Sequence, residues 1–265
     1  MLIAIDAGNS NIVIGVFNDD SLSHVWRLAT DADRMPDEWW AVLQPLCESD
    51  RIDLDQATGA IIASVVPRLT PKLVEMVRTR LGLEPIVVSS DLDMGIGVET
   101  DNPWEVGADR IVNSVAVQHL YHAPAIVVDF GTATTFDVIS PHGSYIGGAI
   151  APGVQLALDA LTGRAARLSS VELVVPEQAV GTNTVLSVQS GTVLGYVELV
   201  NGMLTRISAE LGGDPAIIAT GGLGRMFEQH CPLIQAWEPD LTLVGLRLIH
   251  EHLTSTGAGT LPRQR

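Results

Sequence analysis

The chain has 265 residues, of which 46% are hydrophobic and 17% charged, so it holds enough apolar material for two buried cores. Its net charge of −16 argues against nucleic acid or an anionic membrane surface as a partner, because Lys and Arg dominate binding to both. Asp6 interrupts any N-terminal signal segment and no apolar run approaches the roughly 20 residues that span a bilayer, so we expect a soluble cytoplasmic protein.

The pattern of the first half of the chain predicts a sheet that begins with a β-hairpin and is accompanied by helices. Two strands joined by a short turn are predicted from Leu2 to Phe17, and a second turn follows at 18–20. Further strands are predicted at 23–29, 59–66 and 86–89, and helices at 37–47, at 70–81 and from Ile111 onward. Pro36 and Pro71 occupy first-turn positions, where the missing N–H of proline costs nothing.

The second half repeats this order. Strands are predicted within 125–140, at 145–150 and at 216–219, and helices at 152–161, 184–211 and 243–252. The pattern is mixed α/β, with predicted domains at 1–120 and 121–265. The tail from Ser255 to Arg265 is expected to fray.

An Asp-x-Gly sequence follows the first strand of each half. Asp6 precedes Gly8, Asn9, Ser10 and Asn11, and Asp129 stands in the equivalent place, almost half the chain away. The glycine allows close approach of the backbone, and the turn amides can hold phosphate oxygens. An aspartate beside phosphate is favourable where Mg²⁺ separates the two, directly or through water. One such loop alone could be an ordinary hairpin turn, but the repeat favours a metal–polyphosphate site.

Consecutive glycines follow the strand at 216–219. Gly221 and Gly222 carry no side chains, so a base or ribose could lie flat against them, although Gly-Gly after a strand is often only a turn. The chain has neither the Gly-x-x-x-x-Gly-Lys-Ser/Thr sequence of a P-loop nor a Gly-x-Gly-x-x-Gly after the first strand. If the site binds a nucleotide, it is therefore of another class.

Together these features resemble the acetate and sugar kinase/heat-shock/actin superfamily and, within it, the type III pantothenate kinase family. Asn-Pro-x-Glu-Val joined to Gly-Ala-Asp-Arg at 102–110 is the most specific segment. The other matching stretches, in the family's order, are 6–10 with Gly15, 129–135, 147–153, 181–184, 189–191 and 220–222. The resemblance implies two duplicated ribonuclease-H-like domains, each a mixed sheet flanked by helices, with ATP in an interdomain cleft.

The resemblance also implies the role of individual residues. Asp109 matches the catalytic base, and Asp129 the ligand of a monovalent cation, K⁺ or NH₄⁺. The ATP contacts implied are Asp6, Ala7, Gly8, Asn9, Ser10, Asn11, Ile12, Val13 and Thr132, with Gly221 and Gly222 at the adenosine. The pantothenate contacts implied are Thr100, Gly107, Ala108, Asp109, Arg110 and Thr184. The family is dimeric, which implies a homodimer.

Two positions depart from the family pattern. Thr100 stands where many members carry Tyr, which puts one substrate contact in doubt, and 164–168 differs from a common Thr-Ala-basic-Leu-Pro pattern. The catalytic set is not affected by either.

The chemistry of Asp109 agrees with a role as base. Phosphoryl transfer requires positioning, charge neutralisation and a residue that takes the proton of the acceptor hydroxyl. Asp109 enters a predicted helix whose N-terminus attracts anions, and Arg110 can pair with a carboxylate. From spacing alone, Asp109 could equally be a helix cap and Arg110 a surface cation.

The sequence therefore predicts ATP-dependent phosphorylation of pantothenate, the first step of coenzyme A synthesis, with Mg²⁺ and a monovalent cation. Two alternatives stay open. The first is a non-catalytic accessory factor in transcriptional regulation with the same fold. The second is a kinase for another small hydroxylated acceptor, which Thr100 keeps open.

Overall fold

The protein is described by a computed structural model at residues 1–164 and 171–256. Within these ranges the strands are β1 Leu2–Ala7, β2 Asn11–Asn18, β3 Ser21–Ala29, β4 Gly59–Ser64, β5 Ile86–Val87, β6 Ala125–Phe130, β7 Ala133–Ile139, β8 Tyr145–Pro152, β9 Ala216–Thr220 and β10 Ala236–Trp237. The α-helices are α1 Pro36–Ser49, α2 Thr70–Met76, α3 Ala108–Tyr121, α4 Val154–Arg164, α5 Thr184–Gln189, α6 Gly195–Leu211, α7 Gly224–Glu228 and α8 Leu241–Thr256. Most of the departure at 164–168 and most of the tail fall outside the described residues.

The chain forms two compact units, one of residues 1–116 with α8 and one of residues 117–240. In the first unit the strand order is β3-β2-β1-β4-β5. β1 pairs antiparallel with β2, and β2 antiparallel with β3. β1 pairs parallel with β4, and β4 parallel with β5. The carboxyl ends of β1, β4 and β5 therefore meet at one edge of the sheet.

The second unit repeats this topology strand for strand. Its order is β10-β9-β6-β7-β8, with β6 antiparallel to β7 and parallel to β9. Asp6 is the fifth residue of β1 and Asp129 the fifth of β6, and both strands are buried at every position except the aspartate. The duplication predicted from the two Asp-x-Gly sequences is thus present in the fold.

Alternation along the strands separates the two faces of the first sheet. Ile3, Ile5 and Ala7 pack against α1 and α2 on one face. Leu2 and Ala4 pack on the other face, against α3 and α8. In the second unit Ile126, Val128 and Phe130 pack against α6, where Phe130, Tyr196 and Phe227 form an aromatic cluster.

Helix α8 belongs to the first unit, whereas the sequence prediction grouped residues 121–265 together. Its apolar residues Leu243, Leu246, Ile249 and Leu253 share a core with Ile61 of β4. An amphipathic pattern predicts that a helix covers a sheet but does not identify which sheet. No helix among the described residues is both long enough and apolar enough to cross a membrane.

Candidate active site

The Asp6 loop is a tight turn at the carboxyl end of β1. The Gly8 amide donates to the carbonyl oxygen of Asn11 at 2.9 Å, which closes the turn. Thr30, directly after β3, holds the loop, since its hydroxyl donates to the Gly8 carbonyl at 2.7 Å and its amide to the Ser10 carbonyl at 3.0 Å. Asn9, Ser10 and Asn11 are exposed, while Ala7 and Ile12 are buried beneath them. The loop therefore presents short polar side chains on a fixed backbone.

The Asp129 loop occupies the corresponding place in the second unit and is one residue shorter. The Gly131 amide donates to the Ala133 carbonyl at 3.0 Å, and the Thr132 carbonyl accepts from the Gly153 amide at 3.1 Å. Thr132 is exposed at the tip of the turn, and Asp129 is half-buried near the end of β6. The structure thus places Thr132 on the short turn that directly follows the strand of Asp129.

Gly221 lies against the Asp129 carboxylate. A Cβ atom at Gly221 would lie 2.6 Å from Oδ1 of Asp129 and 2.6 Å from the amide nitrogen of Phe130. Its φ of +90° also lies in the left-handed region that favours glycine. Gly222 is exposed, and a Cβ there would meet nothing within 4 Å. Gly221 is therefore needed for the backbone to pass close to the Asp129 carboxylate and the Phe130 backbone.

Asp109 lies in the first turn of α3. Its Oδ1 accepts a hydrogen bond from the Arg110 amide at 2.9 Å, and the same amide also donates to the Gly107 carbonyl at 3.1 Å. Burial raises the pKa of Asp109 above its ordinary value of 3.8, and the Arg110 amide and guanidinium oppose this rise only in part. A carboxylate with a raised pKa has an increased proton affinity, which suits a base.

Helix α3 is held by α8 at close range. A Cβ at Gly245 would lie 2.2 Å from the carbonyl oxygen of Val112, so the helices touch backbone to backbone. The Thr242 hydroxyl donates to Oδ1 of the buried Asn113 at 2.8 Å. These two contacts fix the helix that carries Asp109.

A cavity of about 340 Å³ opens beside the N-terminus of α3. It is lined by residues from the carboxyl ends of β4 and β5 and from the segment that enters α3: Ser64, Val65, Val88, Ser89, Ser90, Met94, Trp104, Val106, Gly107, Ala108 and Ile111. Gly107 and Ala108 are two of the residues predicted to bind the acceptor. The three serines and Trp104 were not among the predicted site residues, because a serine after a strand is an ordinary loop residue.

Thr100 and Thr184 lie in other settings. Thr100 is half-buried outside the lining of this cavity, and its Oγ1 is enclosed without a hydrogen-bond partner among the described residues. Thr184 is exposed at the start of α5, next to the cap in which Oδ1 of Asn183 accepts from the Leu186 amide. It lines a groove of about 660 Å³ together with Leu161, Tyr196 and Leu199.

Within the described ranges, no three His, Cys, Asp or Glu side chains are grouped so that they could hold a metal ion between them. The Asp6 loop supplies a single carboxylate. One carboxylate fits Mg²⁺, which proteins usually hold through one or two carboxylates together with substrate phosphates and water.

The fold has known counterparts. A conserved Campylobacter jejuni protein assigned to a Baf family of transcriptional activators covers 96% of this chain and 99% of its own, with a TM-score of 0.58 at 19% identity. The match to the ethanolamine utilization protein EutJ of Carboxydothermus hydrogenoformans covers 93% of this chain and 89% of EutJ, with a TM-score of 0.54 at 14% identity. At such identities the likeness concerns the fold alone, which consists of two duplicated ribonuclease-H-like domains.

The sequence comparisons are more specific. The family model for type III pantothenate kinase matches residues 2–206. The type III pantothenate kinase of Thermomicrobium roseum is 52% identical over 96% of this chain and 98% of its own length. That of Moorella thermoacetica is 48% identical over 96% of this chain and 100% of its own. The chain belongs to the type III pantothenate kinase family.

Proposed function

We propose that this protein transfers the γ-phosphoryl group of ATP to the primary hydroxyl of pantothenate, giving 4'-phosphopantothenate in the first step of coenzyme A synthesis. The observation that carries the proposal is Asp109 at the N-terminus of α3, half-buried, with its pKa raised by burial. It lies next to Gly107 and Ala108, which line a cavity of ligand size, in a chain of this family.

Asp109 acts on the acceptor. It accepts the proton of the pantothenate hydroxyl as the oxygen attacks the γ-phosphorus, so the proton passes to the carboxylate and ADP leaves. Arg110 pairs with the pantothenate carboxylate, because a guanidinium can bind a carboxylate through two parallel hydrogen bonds. The N-terminal end of α3 favours the negative charge that gathers there.

The Asp6 turn acts on the nucleotide. The segment Asp6–Val13 and Thr132 contact the phosphates through amides and short polar side chains, and Gly221 and Gly222 contact the adenosine. Asp6 holds Mg²⁺, directly or through water, and when bound this ion neutralises phosphate charge. Asp129 holds the monovalent cation, K⁺ or NH₄⁺, and the half-buried position of its carboxylate at the end of β6, against the backbone of Gly221, supports this assignment.

We further propose a homodimer in which Thr184 contacts pantothenate near the interface. The support is the groove lined by residues of α4, α5 and α6 in the second unit. Two of its lining residues, Leu161 and Leu199, are exposed apolar side chains. Exposed apolar residues grouped on one surface often mark a protein contact. We place the enzyme in the cytoplasm, as the sequence predicts.

A substrate panel tests the proposal. Purified protein with ATP, Mg²⁺ and K⁺ is offered pantothenate, its alcohol analogue without the carboxylate, and other small hydroxylated acids, and the products are identified by mass spectrometry. We expect phosphopantothenate as the principal product, and less of it when K⁺ is replaced by Na⁺. Phosphorylation of another acceptor in preference to pantothenate would indicate a different kinase. No turnover of any acceptor, with either K⁺ or NH₄⁺ present, would contradict the proposal and favour an accessory factor.

A further inference from the structure

Trp104 has an unusual position for a large apolar side chain. It is 70% exposed, whereas Trp26 and Trp39 are buried and Trp40 and Trp237 are half-buried. A tryptophan can bury roughly 150–250 Å² of surface, so leaving it in water forgoes a large hydrophobic contribution. Such exposure is reasonable where a ligand covers the ring during function.

The turn that carries Trp104 is well defined. Pro103 begins a single turn of 3₁₀ helix, Pro103–Glu105, whose φ the proline ring fixes. The Glu105 amide donates to the Asn102 carbonyl at 3.1 Å, and Nδ2 of Asn102 donates to Oε2 of Glu105 at 3.2 Å. The indole is therefore presented by a braced turn rather than by a free loop.

The cavity beside this turn has a chemically mixed lining. Ser64, Ser89 and Ser90 come from the ends of β4 and β5 and carry hydroxyl groups. Trp104 and other apolar residues also line the cavity, and Gly107 brings the backbone of the acceptor-binding segment to the same space. Pantothenate is mixed in the same way, with a geminal dimethyl group between a hydroxyl-bearing end and an amide and carboxylate.

We propose that Trp104 is a specificity-determining residue of the acceptor site, and that its indole packs against the apolar part of pantothenate and closes the outer wall of this cavity. The inference rests on the proposed function. Thr100 is unsuited to this role because it does not line the cavity and its Oγ1 points into enclosed space. Trp104, four residues further on, supplies the large apolar surface.

Tryptophan fluorescence tests the contact without using turnover. Acrylamide is the quencher of choice, because it is neutral and the chain carries a net charge of −16. Trp104 should account for most of the quenching, so we expect added pantothenate, with Mg²⁺, K⁺ and a non-hydrolysable ATP analogue, to reduce the quenching constant. Trp104→Phe should lower the quenching constant at the outset and abolish the response to pantothenate.

Kinetics test the specificity. We expect Trp104→Ala to raise KM for pantothenate about tenfold and to leave KM for ATP within twofold, because the indole contacts only the acceptor. Trp104→Phe keeps an aromatic wall and should stay within about threefold of wild type. Met35→Ala, which also removes a large exposed side chain (56% exposed) from the first unit, is the matched control and should change neither KM.

The outcomes separate this inference from the function on which it rests. Turnover of pantothenate with unchanged quenching and an unchanged KM in Trp104→Ala would overturn the role of Trp104 and leave the proposed function standing. Quenching that depends on protein concentration rather than on pantothenate would assign Trp104 to a contact between copies and overturn the inference. Failure of wild type to phosphorylate pantothenate, with folding intact, would overturn both.

Discussion

Gly245→Ala tests whether α8 fixes the helix that carries Asp109. The new Cβ would lie 2.2 Å from the Val112 carbonyl oxygen and 2.7 Å from Cγ1 of the same residue. The oxygen belongs to the backbone of α3, so the overlap can be relieved only if a helix moves.

The expected magnitude follows from two opposing effects. Overpacking of a well-packed core costs about 1–3 kcal/mol, and the cost at Gly245 should lie near the upper end of this range because the new Cβ meets backbone. Replacement of glycine by alanine inside a helix gains about 1 kcal/mol. We therefore expect the free energy of unfolding to fall by about 2 kcal/mol. Since α3 carries Asp109, a displacement near 1 Å should also lower kcat by up to about 100-fold.

Gly202→Ala is the matched control. Gly202 is exposed within α6, and a Cβ there would meet nothing within 4 Å, so only the helix gain of about 1 kcal/mol applies. Urea unfolding followed by far-ultraviolet circular dichroism reports on the helices of both units, and so on α8 and α6 alike. A free energy of unfolding for Gly245→Ala equal to or above that of wild type, as expected for Gly202→Ala, would show that α8 does not hold α3 at close range.

Three further predictions concern Gly221 beside Asp129, the buried carboxylate of Asp109, and the exposed surface of the second unit. Gly221→Ala should lower the free energy of unfolding measured in urea by about 2–4 kcal/mol, because left-handed strain costs about 1–2 kcal/mol and the new Cβ overlaps the strand of Asp129. Gly222→Ala should change this free energy by no more than about 0.5 kcal/mol. Equal losses in the two variants would contradict the prediction. Burial raises the pKa of Asp109 above 3.8, so its charged form destabilises the folded protein. This cost is absent below pH 3.8 and grows as the pH rises from there to the folded-state pKa. Asp109→Asn should therefore raise Tm at neutral pH but not below pH 3.8, and a lower Tm at neutral pH would contradict the burial effect. Leu199→Glu should shift the mass measured by analytical ultracentrifugation from that of a dimer to that of a monomer. Leu233→Glu, at another exposed site, is the control and should leave the mass unchanged. A wild type with the mass of a monomer would exclude the dimer.

Much of the fold could be predicted because local patterns decide it. Apolar strands ending in Asp-x-Gly identify β1 and β6, and Pro36 correctly marks the start of α1. The two-residue strand β10 is too short to leave a periodic pattern, and it depends on pairing with β9. The place of α8 depends on which sheet its leucines meet, which is a tertiary property that helical periodicity does not contain.

The candidate site divides in the same way. Asp6, Asp129 and Asp109 stand out in the sequence because a carboxylate, glycine and small polar residues occur together. The contact between Gly221 and Asp129 joins segments far apart in the chain and is seen only in the fold. Trp104 lies inside the most specific motif, but its exposure and the serines that line the same cavity are seen only in the structure.

The single-turnover rate of Asp109→Asn decides whether Asp109 is the base. Wild type and variant are mixed with saturating pantothenate and ATP in Mg²⁺ and K⁺, and phosphopantothenate is followed by rapid quench. If Asp109 takes the proton of the acceptor hydroxyl, the rate should fall by about 10²–10⁴-fold in the variant, with dissociation constants for both substrates within a few fold of wild type. A variant whose rate stays within tenfold of wild type would contradict this role.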